Sequence, residues 1–267
     1  MTDIDAQAAP ESAAARISAA LHAAVAAPAV AAPGDRAAAW RVAEVLAADW
    51  SERPLADGDG YADADLDAAA AALGLPLPAA LREGLKRFGR RDDLTRNQDP
   101  LSAPEDLETY EGALVFRDEN QGVCSWGVLI EDLGQDDPPT YYRADLLDKT
   151  EEEWLPWTDR LSLALVEALM SETVLTEVDS MEKCWGQLGP EAADEDGLTA
   201  LPRIQPDWYK TTYYVGDDLL AHAADGAWIS VLARSREALN AYTGEDDEEL
   251  DEKKFDEEVT EDKDIES

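Results

Sequence analysis

The feature that most constrains this chain is a change of hydrophobic period near residue 100. Before it, apolar residues recur at helical spacing. Asp35 is placed to cap a helix carrying Trp40, Val42, Ala43, Leu46 and Trp50 on one face. The acidic turn at 56–60 separates it from a second helix that starts at Asp63 or Asp65, runs through Leu66, Ala69, Ala70 and Leu73, and stops at Gly74. Pro78 suits the first turn of a third helix, which aligns Leu81, Leu85 and Phe88 and ends at Gly89. Beyond the change, residues 113–117, 122–130 and 139–143 form short β-like runs, with Asp118, Glu119, Asn120, Gln121 and Gly122 supplying turn chemistry between the first two. A helix from Asp159 to about Leu175 returns, capped by Thr158 or Asp159, with Leu161, Leu165, Val166, Leu169 and Met170 inward. Strands at 209–215 and 227–232 follow, then a helix near Ser235 covering Ala238, Leu239 and Tyr242. Helices, then strands, then helices predict an α+β fold, a mixed sheet packed by helices, rather than alternating βαβ units.

The ends differ from this middle. Residues 1–34 are alanine-rich and close on Pro33-Gly34; they are expected to be a disordered arm or a short helix. Residues 244–267 are almost all charged and cannot bury enough apolar surface to offset ordering, which predicts a disordered acidic tail. Between them lies one domain, 35–243, with a core at about 40–175 and an extension at 176–243. The apolar stretch from Ile17 is too short and too interrupted by His22, Pro28 and Pro33 to span a membrane, and Asp3, Asp5 and Glu11 are wrong for a signal peptide. Cys124 and Cys184 belong to no metal-spaced pair and read as buried reduced thiols, so the expected location is cytoplasmic.

Charge limits the partners. The 267 residues hold 22 Lys and Arg against 60 Asp and Glu, a net charge of −38. Phosphate recognition needs a basic footprint and an anionic membrane surface repels such a chain, so neither nucleic acid nor membrane is an expected partner. A basic protein is. Catalytic motifs are missing: there is no GxSxG, Walker A loop, GxGxxG or HExxH, and the two histidines are His22 and His222. Neither enzyme activity, cofactor nor metal is expected. The pair Asp118 and Glu119 sits on a turn without an independent signal for glycoside chemistry. The run from Asp57 to Asp67 lacks the sixth-position glycine and closing glutamate of a calcium loop and reads as a solvated helix start. The aromatics carry more. Trp126 follows the acidic turn, and Trp154 and Trp157 flank Pro156; each is first a packing residue, but aromatic anchors beside Asp118, Glu119, Asn120, Asp136 and Asp137 suit a basic surface. The candidate partner-binding set is therefore Asp118, Glu119, Asn120, Trp126, Asp136, Asp137 and Trp154.

Several segments resemble the SUKH superfamily. LGLPLPAALREGLKRFG at 73–89 is similar to its helix–Leu-Pro–helix opening, and GALVFRDENQGVCSWGV at 112–128 to its central strand–turn–strand. PPTYYR at 138–143 and EEEWLPWTDRLSLALVEALMSETVL at 151–175 resemble the next strand and covering helix. The likeness spans 40–175 and extends more loosely to about 243. It implies a non-catalytic α+β domain whose sheet side and cleft bind a partner protein, in bacterial members often a toxin and frequently a nuclease, to which this chain would be the cognate immunity protein. A regulatory or scaffold protein of the same fold is the alternative. The superfamily has no fixed catalytic residues to carry over.

Overall fold

The computed structural model describes residues 12–27, 36–176, 181–187, 198–216, 218–224 and 228–244. The chain begins with helix α1 (Ala13–Ala26), capped by Ser12, whose hydroxyl accepts from the Ala15 N–H at 3.2 Å. Of the two states open to the alanine-rich arm, the helix forms here. It is held because Ile17 and Leu21 are fully buried against α2 (Ala37–Asp49). Two polar ties add to this packing. Arg16 pairs with Asp49, and Arg160 donates to the carbonyl of Ala24 at 2.7 Å, in the last turn of α1 where backbone acceptors lack helical partners. The expected cap Asp35, the linker Pro33-Gly34 and residues 245–267 of the tail lie outside the described residues.

Helices α3 (Asp63–Leu73), α4 (Ala79–Phe88) and the one-turn α5 (Asp92–Thr95) follow. Helix α3 ends as expected at Gly74, whose φ of 67° places it in the left-handed region. Acids of the preceding loop and of α3 itself are engaged by neighbouring bases. Asp59 pairs with Arg53 and Arg91, Asp63 with Lys86, and Asp67 with Arg82. Gly60 lies so close to α4 that an added Cβ would stand 2.0 Å from the Lys86 carbonyl oxygen, so only glycine fits.

The first sheet is an antiparallel meander of β1 (Glu108–Tyr110), β2 (Ala113–Asp118), β3 (Cys124–Leu129), β4 (Tyr141–Ala144) and β5 (Leu155–Pro156), in that order. Helix α6 (Leu161–Val174) comes next. The second sheet contains β6 (Glu182–Gln187), β7 (Thr199–Ala200), β8 (Thr211–Val215), β9 (Leu219–Ala224) and β10 (Trp228–Ala233), ordered β6-β10-β9-β8-β7 with every pairing antiparallel. Helix α7 (Arg236–Thr243) closes the described chain, with Ser235 capping the Ala238 N–H and Gly244 ending it at φ 70°. The fold is α+β.

Helix α6 departs from the amphipathic expectation. Every residue from Leu161 to Val174 is buried, Glu167 and Glu172 included, because α2, α4 and α5 pack on it from one direction and β9 and β10 from another. A helix enclosed on all sides is the central post of such a fold. Trp50, Phe88, Phe116, Leu21 and Leu165 meet in the main hydrophobic cluster; Leu198, Ala221, Ile229 and Val231 form a smaller one in the second sheet. Among the described residues no helix is long and apolar enough to cross a membrane.

Candidate functional site

The seven residues singled out from the sequence fall in three places. Asp118 and Trp154 share the outer face of the first sheet, the face turned away from the core. Asp118 ends β2 and accepts from the Ser125 hydroxyl at 2.5 Å. Trp154 lies over Gly127, where a Cβ would stand 3.1 Å from the indole ring, and its Nε1–H donates to the Glu111 carbonyl at 3.1 Å. Glu119 and Asn120 form the β2–β3 turn beside that face. The Glu119 carboxylate accepts the N–H groups of Gln121 and Val123, so it shapes the turn, while the Asn120 N–H donates to Asp99 at 3.3 Å. Asp136 is exposed at the start of α4, where its carbonyl accepts from the Ala80 N–H.

Trp126 and Asp137 point elsewhere. Trp126, 4% exposed, lies on the inner side of the sheet, edge-on to Tyr142 and Trp157 at 5.7 and 6.0 Å, with the Arg117 guanidinium 4.5 Å from its ring centre. Asp137, 8% exposed, accepts both the N–H and the hydroxyl of Ser162 and so caps α6 from a distant part of the chain. Neither side chain is available to a partner docking on the outer face.

The register explains what that face displays. Glu108, Val115, Gly127, Tyr141 and Pro156 line up across the strands, and Tyr110 stands beside Ala113 and Leu129. Side chains alternate between faces, so these belong to one side. Tyr110 is 44% exposed, with the Arg143 guanidinium 5.5 Å from its ring. Leu147, in the loop between β4 and β5, is fully exposed, and the start of that loop is tied to the exposed Val123 by the bond from the Asp145 N–H to its carbonyl. Glu108, Asp118, Asp145 and Glu152 line this part of the face with Tyr110, and Asp132 lies against Tyr141. Burial raises the Tyr141 hydroxyl above its ordinary range, with Asp132 and Glu131 adding to the effect. The local cations are already engaged: Lys149 pairs with Asp145 and Glu152, and Arg143 with Glu152. Lys149, then the Leu146 N–H, holds the Glu152 carboxyl down to about 2. A shallow cavity of about 230 Å³ opens here between Glu108, Tyr110, Asp118, Ser125, Arg143 and Glu152. The face thus sets aromatic side chains beside carboxylates.

Sequence reasoning missed a second assembly beneath Trp126. Arg117, 2% exposed, donates to Glu167 at 3.0 Å, to Glu172 at 3.4 Å and to the Asp99 carbonyl at 3.1 Å. Glu172 also accepts three consecutive backbone N–H groups, from Asn97, Gln98 and Asp99. Glu167 accepts from Gln205 and Tyr213 besides Arg117. Burial opposes the Arg117 charge, but Glu167, Glu172 and Asp99 outweigh it and its pKa is raised. The available signal was an arginine inside a strand and two glutamates inside an apolar helix, polar residues at core positions that demand partners. Among the described residues no group of three or more His, Cys, Asp and Glu side chains is arranged to hold a metal ion. No protein-family profile, curated protein or solved structure matches the chain.

Proposed function

We propose that this chain is a non-catalytic binding protein that covers the basic surface of a partner protein with the outer face of its first sheet. The observation that carries the reading is the pattern on that face: Tyr110 and Trp154, with Leu147 exposed in the β4–β5 loop, supply area to bury, and Glu108, Asp118 and Asp145 stand beside the face, while Arg143 and Lys149 are neutralised locally. Apolar anchors carry most of the affinity at protein interfaces, and surrounding charges steer encounter and select the partner. A net charge of −38 adds long-range attraction for a cation-rich surface and repulsion for phosphate backbones.

The kind of partner follows from the same charge. A nuclease-type toxin has to be basic to hold its substrate, and an acidic protein seated on that surface blocks it. The resemblance of segments 73–89 and 112–128 to SUKH proteins points the same way, to a cognate immunity protein working in the cytoplasm. The test is co-expression with basic toxin domains encoded next to this chain, together with capture of the complex. Protection that is lost with Leu147→Glu and Tyr110→Glu, both well exposed, supports the reading. Protection by neither the parent chain nor any adjacent pair, or full protection by both variants, rejects it.

A further inference from the structure

Two Asp-Gly pairs stand side by side in the loop between α2 and α3, Asp57-Gly58 and Asp59-Gly60, and folding treats them oppositely. Asp196-Gly197 and Asp225-Gly226 lie outside the described residues. An aspartate followed by glycine is a sequence whose backbone can rearrange through its own side chain. Glycine has no Cβ to shield its amide nitrogen, so that nitrogen can reach the aspartyl Cγ and close a five-membered imide.

Asp59-Gly60 is held away from this chemistry. The Asp59 carboxylate accepts the Ala56 N–H at 2.7 Å, Arg53 at 2.9 Å and Arg91 at 3.2 Å. The backbone on either side of Gly60 is fixed as well: the Arg90 N–H donates to the Asp59 carbonyl at 2.9 Å, and the Tyr61 N–H donates to the Leu85 carbonyl at 2.9 Å. Gly60 itself is pressed against the Lys86 carbonyl and has no room to turn. Arg53, first among its partners, holds the Asp59 carboxyl down to about 2, which leaves little of the protonated acid that imide closure consumes. Asp57-Gly58 is open. Both residues are exposed, at the centre of the turn that the Asp59 N–H closes on the Ala56 carbonyl at 3.2 Å. Gly58 has a φ of 93°, the left-handed conformation that a type II turn requires at this position, and a Cβ built on it meets nothing within 4 Å. Among the described residues no hydrogen bond or ion pair holds the Asp57 carboxylate or the Gly58 N–H.

We propose that Asp57 is a self-modification site, where the folded chain isomerises to isoaspartate while Asp59 is spared. The Gly58 nitrogen attacks Cγ of the protonated Asp57 carboxyl. The N–Cγ bond forms, and the carboxyl hydroxyl leaves with the amide proton as water. Water then adds to the imide. Cleavage of the N–Cγ bond restores aspartate, whereas cleavage between the nitrogen and the former backbone carbonyl leaves the chain running through Cβ and Cγ. The water lost in closure is regained, so mass and charge are unchanged, and no partner or cofactor is needed. The backbone between Ala56 and Asp59 is then longer by one methylene, in the turn that both Ala56–Asp59 bonds span. Lengthening it withdraws those bonds and slackens the clasp in which Asp59 joins Arg53 to Arg91, which itself reaches the Ser51 hydroxyl and the Arg53 carbonyl.

The full chain is aged at physiological temperature and mildly acid pH, both folded and in urea. It is then digested and sequenced by electron-transfer fragmentation, which separates isoaspartate from aspartate residue by residue. In urea both pairs are unrestrained, and their conversion rates are expected to agree within about threefold; in the folded chain Asp57 is expected to convert at least about tenfold faster than Asp59, which reacts only through local opening. Asp57→Glu keeps the charge but offers only the slower six-membered closure, and residue 57 is expected to stay unchanged. The aged parent is expected to melt about 2–4 °C below the fresh protein, and aged Asp57→Glu to melt as fresh. Equal conversion of Asp57 and Asp59 in the folded chain, or no isoaspartate at Asp57 there, overturns the proposal. Conversion of Asp57 with an unchanged melting temperature, or an equal fall in aged Asp57→Glu, overturns the link to the Asp59 clasp.

Discussion

Asp137 offers the sharpest test of how the fold is held. Helix α6 begins after Arg160, which makes no side-chain cap, so the Ser162 N–H would be unsatisfied in the interior. Asp137 takes it at 2.7 Å and takes the Ser162 hydroxyl at 2.6 Å, in line with the positive end of the helix dipole. In Asp137→Ala both donors lose their acceptor. Two hydrogen bonds to a charged group are worth ~3–6 kcal/mol together. Removing the carboxylate also relieves a burial cost that raises its pKa, partly countered by Ser162, Arg160 and Arg36. The net loss is then about 2–3 kcal/mol, or roughly 5–10 °C in melting temperature for a domain of this size. Asp137→Asn keeps an acceptor for the N–H and offers a donor to the hydroxyl, so it is expected to stay within about 1 kcal/mol of the parent. The pH sign follows. The folded carboxyl binds its proton more tightly than the unfolded one, whose ordinary value is 3.8, so the stability of the protonated form is present at low pH. It is lost as pH rises from that value through the raised one. Asp137→Asn lacks this slope. Thermal and urea unfolding between pH 4 and 7 measure both effects, with exposed Asp136→Ala as a control expected within ~0.5 kcal/mol. A parent-like melting temperature for Asp137→Ala, or equal losses for Ala and Asn, would refute the capping role.

Three further outcomes are expected. Arg117→Met leaves Glu167 and Glu172 buried without their countercharge and costs ~3–5 kcal/mol by urea unfolding, and a loss below about 1 kcal/mol contradicts the network described here. Gly60→Ala drives a Cβ into the Lys86 carbonyl and is expected to abolish soluble expression, whereas Gly134→Ala, with nothing within 4 Å, behaves as the parent; equal yields of the two contradict the close approach. Asp59 is held down to about 2, first by Arg53, so its stabilisation is present above its ordinary 3.8 and lost as pH falls through the folded value. Acid unfolding between pH 4 and 2 is therefore expected to be shallower in Asp59→Asn, and identical profiles contradict it.

Local order was legible because its causes are local. The 3.6-residue period gave α2, α3 and α4, Gly74 stopped α3, and the turn at 118–122 with apolar runs on either side gave the β2–β3 pair. Ser235 announced α7 through its N-cap chemistry. Strand β9 was not legible: its sequence, LLAHAA, has no β-branched residue, and it becomes a strand because β8 and β10 pair with it on both sides. Strands β1, β5 and β7 are two or three residues long and exist only through their neighbours. The same division runs through the candidate site. Composition by itself set the net charge of −38, from which a cationic partner is the expectation, since charge count does not depend on folding. Only the tertiary structure decided which carboxylates face outward. Asp118 and Trp154 reached the outer face, Asp137 was drawn 25 residues along the chain to cap α6, and Arg117 met glutamates 50 and 55 residues away. A buried polar atom takes whichever partner folding brings near, and that choice depends on separation in space, which sequence spacing does not encode.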